Sequence, residues 1–367
     1  MDKILRPNWV EINLNSLEKN LIKIRKIIKN KKITFVVKAN AYGHGIIEVS
    51  KFAQKKKLCD YLGVSSIEEG IILRENGIKI PILVLGGIYP FSNFKYLYHY
   101  NLTPTISSLV AMDELIKYSK KINLPINVHL KLETGMNRIG AGENSMLKMV
   151  DRIQNNKLVK LEGIYSHLSS ADTDKDYTLN QIKLYNEAVS KIKGINFIRH
   201  IANSFATVNF PSSHMDMVRC GLSAYGGMPG FEEVLSWKTR IVFIKYLKKG
   251  SYISYSKTFK TNRKTKVATI PLGYGDGYLR ALSNKADVII NGKKAKIIGN
   301  VTMDMCMVDV TDINSKVGDE VTVLGKSGNE KISASDLANK AETIAYEITT
   351  LITQRVPRVY LYKGKSK

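Results

Sequence analysis

Lys38 is the first residue whose placement asks for a chemical explanation: it ends the apolar run ITFVV and opens a loop of small residues, ANAYGHG. A lysine amine attacks a carbonyl carbon only in its neutral form, so burial or cationic neighbours must make it reactive. Similar oddities recur along the chain. Lys131 lies in INVHLKLET with Arg138 just beyond it, His167 falls at the end of LEGIYSHL, and Asn203 and Ser204 close IRHIANS. Arg219 sits in MVRCG, followed by Leu222 after Gly221. Each residue alone has an ordinary explanation. A lysine at a strand end snorkels to water, a lone histidine is a satisfied core group, and an arginine in an apolar strand marks a buried ion pair. Recurrence at the ends of successive strand-like segments is what the ordinary explanations leave uncovered.

The elements that must position these residues are readable from patterning. Eight strand-like segments fall at 33–40, 61–66, 81–87, 103–108, 126–134, 161–168, 198–204 and 217–221. Most are continuous apolar runs, as strands buried on both faces require. Helical spacing separates them. Ser16 caps a predicted helix with Leu17, Leu21, Ile24 and Ile28 on one face, and Ser66 with Glu69 reads as a capping box. Ile182, Tyr185, Val189 and Ile192 repeat the helical spacing. Eight strands alternating with helices predict an α/β fold, a (β/α)8 barrel over residues 12–235.

From residue 236 the texture changes to alternating segments such as KVATIPLGY, DVIINGKKAKIIG and DEVTVLG, with Asn291-Gly292 signalling a tight hairpin. A mainly antiparallel β domain is expected over 236–367, joined by residues 1–11 as an added strand. It should carry one helix from Ser333 to Thr353, with Leu337, Ile344, Ile348 and Leu351 on one face.

In a barrel, reactive groups belong at the C-terminal strand ends, and the loops after strands seven and eight commonly hold phosphate. Here those loops supply Ser204 and the backbone around Gly221 and Leu222. A phosphate grip with a lysine opposite points to pyridoxal 5'-phosphate, whose aldehyde condenses with a lysine amine.

Bulk composition narrows the remaining classes. With 44% hydrophobic and 24% charged residues, the chain has the composition of a globular protein rather than a disordered one. The formal charge of +24 comes from lysines scattered in short runs (KNKK, KKK, KK) rather than from a stripe with interleaved aromatics. That favours a solvated basic surface over a nucleic-acid partner. Three well-separated cysteines show no metal-ligand spacing, so no metal is expected and a reducing cytoplasm fits. The N-terminal segment has no apolar signal region, and nothing later suggests a membrane span.

The segments VVKANAYGHG, HLKLETGMNRIG, EGIYSHLSSAD, HIANSFA, VRCGLSAYG, SYS, IPLGYGDGY, GNVTMDMCMVDVT and RVPRVY follow one another in the chain. In that order they resemble the alanine racemase family, across both expected domains. The resemblance implies interconversion of L- and D-alanine for peptidoglycan, with pyridoxal phosphate on Lys38 and a homodimer that completes each site. Lys38 and Tyr255 from the other subunit match the two bases on opposite faces, Lys38 for D-alanine and Tyr255 for L-alanine. Arg219 matches the partner of the pyridine nitrogen, where a guanidinium cannot accept the ring proton and keeps the electron sink weak. Tyr42, Ser204, Gly221 and Leu222 match phosphate contacts, and His167 and Asn203 match neighbours of the ring. Arg138 matches a contact to substrate carboxylate, and Lys131 a position carbamylated in some members. Met303 and Tyr274 match residues shaping the substrate entrance, with Asp304 behind them.

Three departures stand out: Gln354 where some members carry a phosphate-touching tyrosine, Ser256 where glycine is common, and Glu133 where aspartate is usual. Rival readings are a broader amino-acid racemase acting on serine, a pyridoxal phosphate-dependent decarboxylase of the same architecture, a non-catalytic carrier of the cofactor and a polyanion binder. A decarboxylase would place an acid where Arg219 stands, and a carrier would lack the β domain.

Overall fold

The structure, a computed structural model, describes residues 4–366, so the outermost residues of the expected domains lie outside the described part. It divides into two compact units. Glu18–Ala41 and Ile46–Ala224 form one; residues up to Leu17, Tyr42–Gly45 and those from Tyr225 onward form the other.

In chain order the first strand, β1 (Asn8–Asn13), belongs to the second of these units. The other unit is built on β2 (Lys32–Val36), β3 (Tyr61–Val64), β4 (Ile82–Val84), β5 (Thr103–Ile106), β6 (Ile126–Lys131), β7 (Val159–Tyr165), β8 (Ile198–His200) and β9 (Met217–Cys220). Each neighbour in the series from β2 to β8 pairs in parallel, and β9 returns to pair with β2. Between β8 and β9 the ring is bridged by Asp216 N to Arg199 O and Arg219 N to Ala202 O, both 3.0 Å. This is the expected barrel, and all eight predicted segments supply a strand. Nearly every strand residue is buried, because helices cover the outside and neighbouring strands fill the inside. Leu17, Leu21, Ile24 and Ile28 show the same logic on a helix, Leu14–Ile28, each no more than 2% exposed.

The second unit is mainly antiparallel, as expected. Here β10 (Leu235–Arg240) alternates buried and half-buried residues and lies between β1 and the strand Glu320–Ser327. On its far side β1 pairs in parallel with Arg358–Tyr362. A separate sheet joins Phe243–Leu247, Thr265–Ile270 and Cys306–Asp309. The Asn291-Gly292 turn joins Asp287–Ile290 to Lys293–Lys296, with φ of 50° and 74° as a tight hairpin requires. Among the described residues no helix is long and apolar enough to cross a membrane.

Three local expectations are corrected. The first helix is capped by Asn13, whose Oδ1 accepts from Asn15 N and Ser16 N, while Ser16 donates to Glu232. Glu69 closes no capping box on Ser66; its carboxylate accepts from Ala39 N and Ser65 N instead. The helix expected over 333–353 is two helices, Ala334–Ala341 and Ala345–Thr350, because Glu342 turns left-handed at φ 60°. Ile344 is consequently 62% exposed.

Candidate active site

The strand expected to run to residue 40 ends at Val36, and Val37 N makes a last ladder bond to Gly63 O. Ala39, Asn40, Ala41 and Tyr42 then all take left-handed backbone, with φ between 52° and 55°. Each such L-residue costs about 1–2 kcal/mol, so the turn needs outside support. Glu69 provides part of it, with Oε1 2.6 Å from Ala39 N, and Asn40 Oδ1 accepts from Ile46 N at 2.9 Å. Small side chains at 39 and 41 make the turn sterically possible. Lys38 is thereby held at the strand's C-terminal end. Burial and the charge of Arg138 lower the pKa of its amine, and Glu69 acts in the opposite direction.

Arg219 projects from β9 into the barrel and is almost wholly buried. Its Nη1 donates to His200 Nδ1 (3.0 Å) and His200 O (3.2 Å). Its Nη2 donates to Ser166 O (2.7 Å), with His167 Nδ1 (3.3 Å) and Ile201 O (3.2 Å) sharing the second proton. Among the described residues, Nε–H is the one guanidinium donor with no protein acceptor. The guanidinium carbon lies 4.9 Å from the Tyr165 ring centre, and Lys131 Nζ lies 5.5 Å from it. Burial draws the Arg219 pKa down to about 10. Because Arg219 can only donate, His167 Nδ1 accepts and its proton sits on Nε2. Burial and the surrounding cations, Arg219 first, hold that imidazole neutral.

Lys131 ends β6, where burial and the charges of Arg219 and Arg138 push its amine down to about 8 against the pull of Glu133. Arg138 stands exposed on the loop that follows. Glu133 organises that loop: burial raises its pKa, but backbone N–H groups from Thr134 to Asn137 outweigh burial and keep it ionised. Glutamate in place of aspartate thus still nests the loop.

Ser204 Oγ accepts from Gly221 N (3.1 Å) and Ser223 N (3.2 Å), leaving its own proton to donate outward. The Gly221 amide is therefore committed to the hydroxyl rather than left for a phosphate. Leu222 N–H has no protein acceptor among the described residues. Asn203 spends Oδ1 on capping Ala206 N and one amide proton on Leu168 O.

The remaining sequence candidates lie in the other unit. Tyr42 packs its ring 5.1 Å from Tyr225 and 5.8 Å from Tyr346, and His44 lies 4.4 Å from Tyr225. Tyr255 is 72% exposed on a loop pinned by Asn300 Nδ2 to Tyr255 O (2.9 Å) and Ser254 Oγ to Asn300 O (2.7 Å). Ser256, in the position where glycine is common, sits at φ 58°. Tyr274 and Met303 are 43% and 53% exposed, and their loops are stitched by Tyr274 N to Thr302 O and Gly275 N to Met303 O. Behind them Asp304 pairs with Arg355 at 2.7 Å, and buried Asp276 pairs with Arg6.

Sequence reasoning missed Glu69, Tyr165, His129, His200, Arg6 and Asp276. A glycine within a β7 strand pattern, Gly163, was one available sign that something bulky lies against the backbone there.

Comparison with known proteins accounts for this combination of barrel, lysine and arginine. The family models for the alanine racemase N-terminal and C-terminal domains match residues 12–229 and 234–360. Alanine racemase of Halothermothrix orenii is 42% identical, covering 98% of each chain, and that of Clostridium kluyveri 40%, covering 98% of this chain and 95% of its own. Among solved structures, alanine racemase of Clostridium difficile superposes with a TM-score of 0.93 at 35% identity, covering 100% of this chain and 98% of its own. That of Bacillus anthracis with bound L-Ala-P gives 0.92 at 33% identity, covering 98% and 96%. The chain belongs to the alanine racemase family and is an isomerase.

Proposed function

We propose that the chain interconverts L- and D-alanine with pyridoxal 5'-phosphate held on Lys38, as a homodimer in which Lys38 and Tyr255 of the partner subunit serve opposite faces. The observation that carries the cofactor reading is the unpartnered Nε–H of Arg219, a donor suited to an aromatic nitrogen lone pair. Other groups fit the same ligand. Among the described residues Ser204 Oγ–H and Leu222 N–H are donors without protein acceptors and suit phosphate, and Tyr42 is the family's further contact. When bound, the cofactor supplies an electron-withdrawing ring that makes the α-proton of an attached amino acid removable.

Everything else is the protein's task. Lys38, its amine biased toward the neutral form, can take or return a proton on its own face. Arg219 keeps its proton and donates, which limits how strongly the ring draws electrons and so limits side reactions. Arg138 suits the substrate carboxylate. A second proton donor must serve the opposite face, and the exposure of Tyr255, Tyr274 and Met303 in the single chain supports their covering a neighbouring subunit's site. In the family, the partner subunit's Met303 and the partner subunit's Tyr274 narrow the entrance, which favours alanine over larger side chains.

The decisive experiment follows the interconversion of L- and D-alanine and L- and D-serine by chiral chromatography with added cofactor. Racemisation of alanine with loss of activity and visible absorbance in Lys38→Ala is expected. Decarboxylation products, or full activity in Lys38→Ala, would overturn the reading.

A further inference from the structure

Arg219 is one end of a polar seam that runs through the barrel interior. Since its Nη1 donates to His200 Nδ1, the His200 proton must sit on Nε2. That nitrogen is 2.8 Å from His129 Nδ1, which must therefore accept, leaving the His129 proton on Nε2. His129 Nε2 has no acceptor within hydrogen-bond distance among the described residues and faces Glu162 Oε2 at 3.6 Å. Both imidazoles are fully buried, and burial holds both neutral. The other Glu162 oxygen accepts from Tyr61 OH at 2.7 Å, and Thr103 Oγ1 lies 3.4 Å from Oε2. Burial alone would raise the Glu162 pKa, but His129, Tyr61 and Thr103 outweigh it and the group stays a carboxylate.

The seam also has a steric signature. A Cβ on Gly163 would lie 2.5 Å from both Cε1 and Nδ1 of His129, so this strand position is open for the ring to occupy. The β6–β7 register shifts between Val128 and His129, at the same place. Tyr165 stacks on His200 at 4.7 Å and fixes the plane of the second imidazole.

We propose that Glu162 is a positioning residue for Arg219, acting across the barrel through a single tautomer of His129 and of His200. The inference rests on the reading of Arg219 as the cofactor's ring partner. Every proton in the chain points one way, from the guanidinium toward the carboxylate. If the His200 proton sat on Nδ1, His200 and Arg219 would confront each other as two donors and the guanidinium would lose one of its anchors; a proton on His129 Nδ1 would oppose the His200 Nε2 proton in the same way. Arg219 sets this direction at one end, and the Glu162 carboxylate, facing the last proton, reinforces it at the other.

The test uses the full-length protein with 15N-labelled histidine, its six imidazoles assigned by single substitutions. In the cofactor-free wild type, His129 and His200 should both be neutral with protonated Nε2; an Nδ1–H form or an imidazolium at either would overturn the proposal. In the holoenzyme, Glu162→Ala should lower kcat roughly tenfold in both directions, the scale on which outer hydrogen-bond partners act. KM for alanine should change less, the visible absorbance of the bound cofactor should shift, and Glu162→Asp should recover most of both. Wild-type absorbance and kcat in Glu162→Ala would sink the proposal. Should that variant fail to fold, the wild-type tautomers still decide. A wild type with no cofactor absorbance at all would instead refute the reading of the site, and the tautomers of the cofactor-free protein would judge the seam separately.

Discussion

Arg6 and Asp276 lie 270 positions apart and meet in a two-bond ion pair, Nη1 to Oδ1 at 2.5 Å and Nη2 to Oδ2 at 2.7 Å. The aspartate side chain is fully buried while the arginine is one-third exposed. Oδ2 also accepts from Gly273 N, and Arg6 reaches Asp304 O, so the pair ties together the loops of Tyr274 and Met303.

Removing Arg6 leaves a buried carboxylate with Arg355 Nε, 3.8 Å away, as its remaining cation among the described residues. Arg6→Ala should cost roughly 3 kcal/mol in urea unfolding, the lower end for breaking a buried pair because Arg6 keeps partial access to water. Arg6→Lys, which retains charge but not the fork, should recover only part. A loss below about 0.5 kcal/mol would place the pair among inconsequential surface contacts.

Lys131 makes stability depend on pH in a defined window. Its amine titrates near 8 in the folded chain against 10.5 in the reference state. Between those values the unfolded chain holds a proton the folded chain lacks, so this group adds stability as pH rises from about 8 to 10.5 and subtracts it below. In carbon dioxide-free buffer, cofactor-free Lys131→Met should be more stable than the wild type at pH 7, with the gap closing by pH 10. Parallel urea midpoints across that range would refute the shift. The same neutral amine, about half the population at pH 8, should give a carbamate resonance with 13C-bicarbonate that is lost in Lys131→Met.

Glu69 should act on both the shape and the reactivity of the Lys38 turn. Glu69→Ala removes two charge-assisted bonds and should cost about 1–3 kcal/mol. Because Glu69 opposes the lowering of the Lys38 amine, Glu69→Gln should shift the pH profile of Lys38 labelling by an amine reagent to lower pH. An unchanged profile would show that the carboxylate acts on backbone shape alone.

Tyr255→Phe should cost 10² to about 10⁴ in racemisation, the range for losing a general acid–base group. Exchange of the α-proton in deuterated water should then be impaired mainly from L-alanine. Equal exchange from both enantiomers would remove Tyr255 from the reaction. Ser256→Gly, relieving φ 58°, should leave activity intact and stabilise slightly.

Continuous apolar runs located most of the eight barrel strands, because strands covered on both faces have little room for polar residues; the short Thr103–Ile106 and Met217–Cys220, interrupted by threonines and by Arg219, followed from the alternation with helices. The rim residues were legible for the same reason: in such runs a lysine or arginine stands out. Elements decided by side-chain hydrogen bonds were not legible. Asn13 rather than Ser16 caps the first helix, and Glu69 leaves Ser66 for backbone amides elsewhere. Glu342 splits an apolar stripe that spacing alone runs straight through. The polar seam was hidden because His129, Glu162 and His200 are far apart in sequence, and only the closing of the ring sets them side by side.

The turn after Lys38 has a stereochemical consequence. Ala39 and Ala41 hold backbone angles that are the mirror image of an ordinary helix, conformations a residue of opposite hand adopts without strain. Semisynthetic replacement of either by its D-enantiomer should stabilise the protein by about 1 kcal/mol, whereas the same exchange in the helix Leu14–Ile28 should destabilise it. Beside its reactive lysine, a chain that equilibrates the two hands of alanine carries L-alanine at two places whose shape belongs to D-alanine.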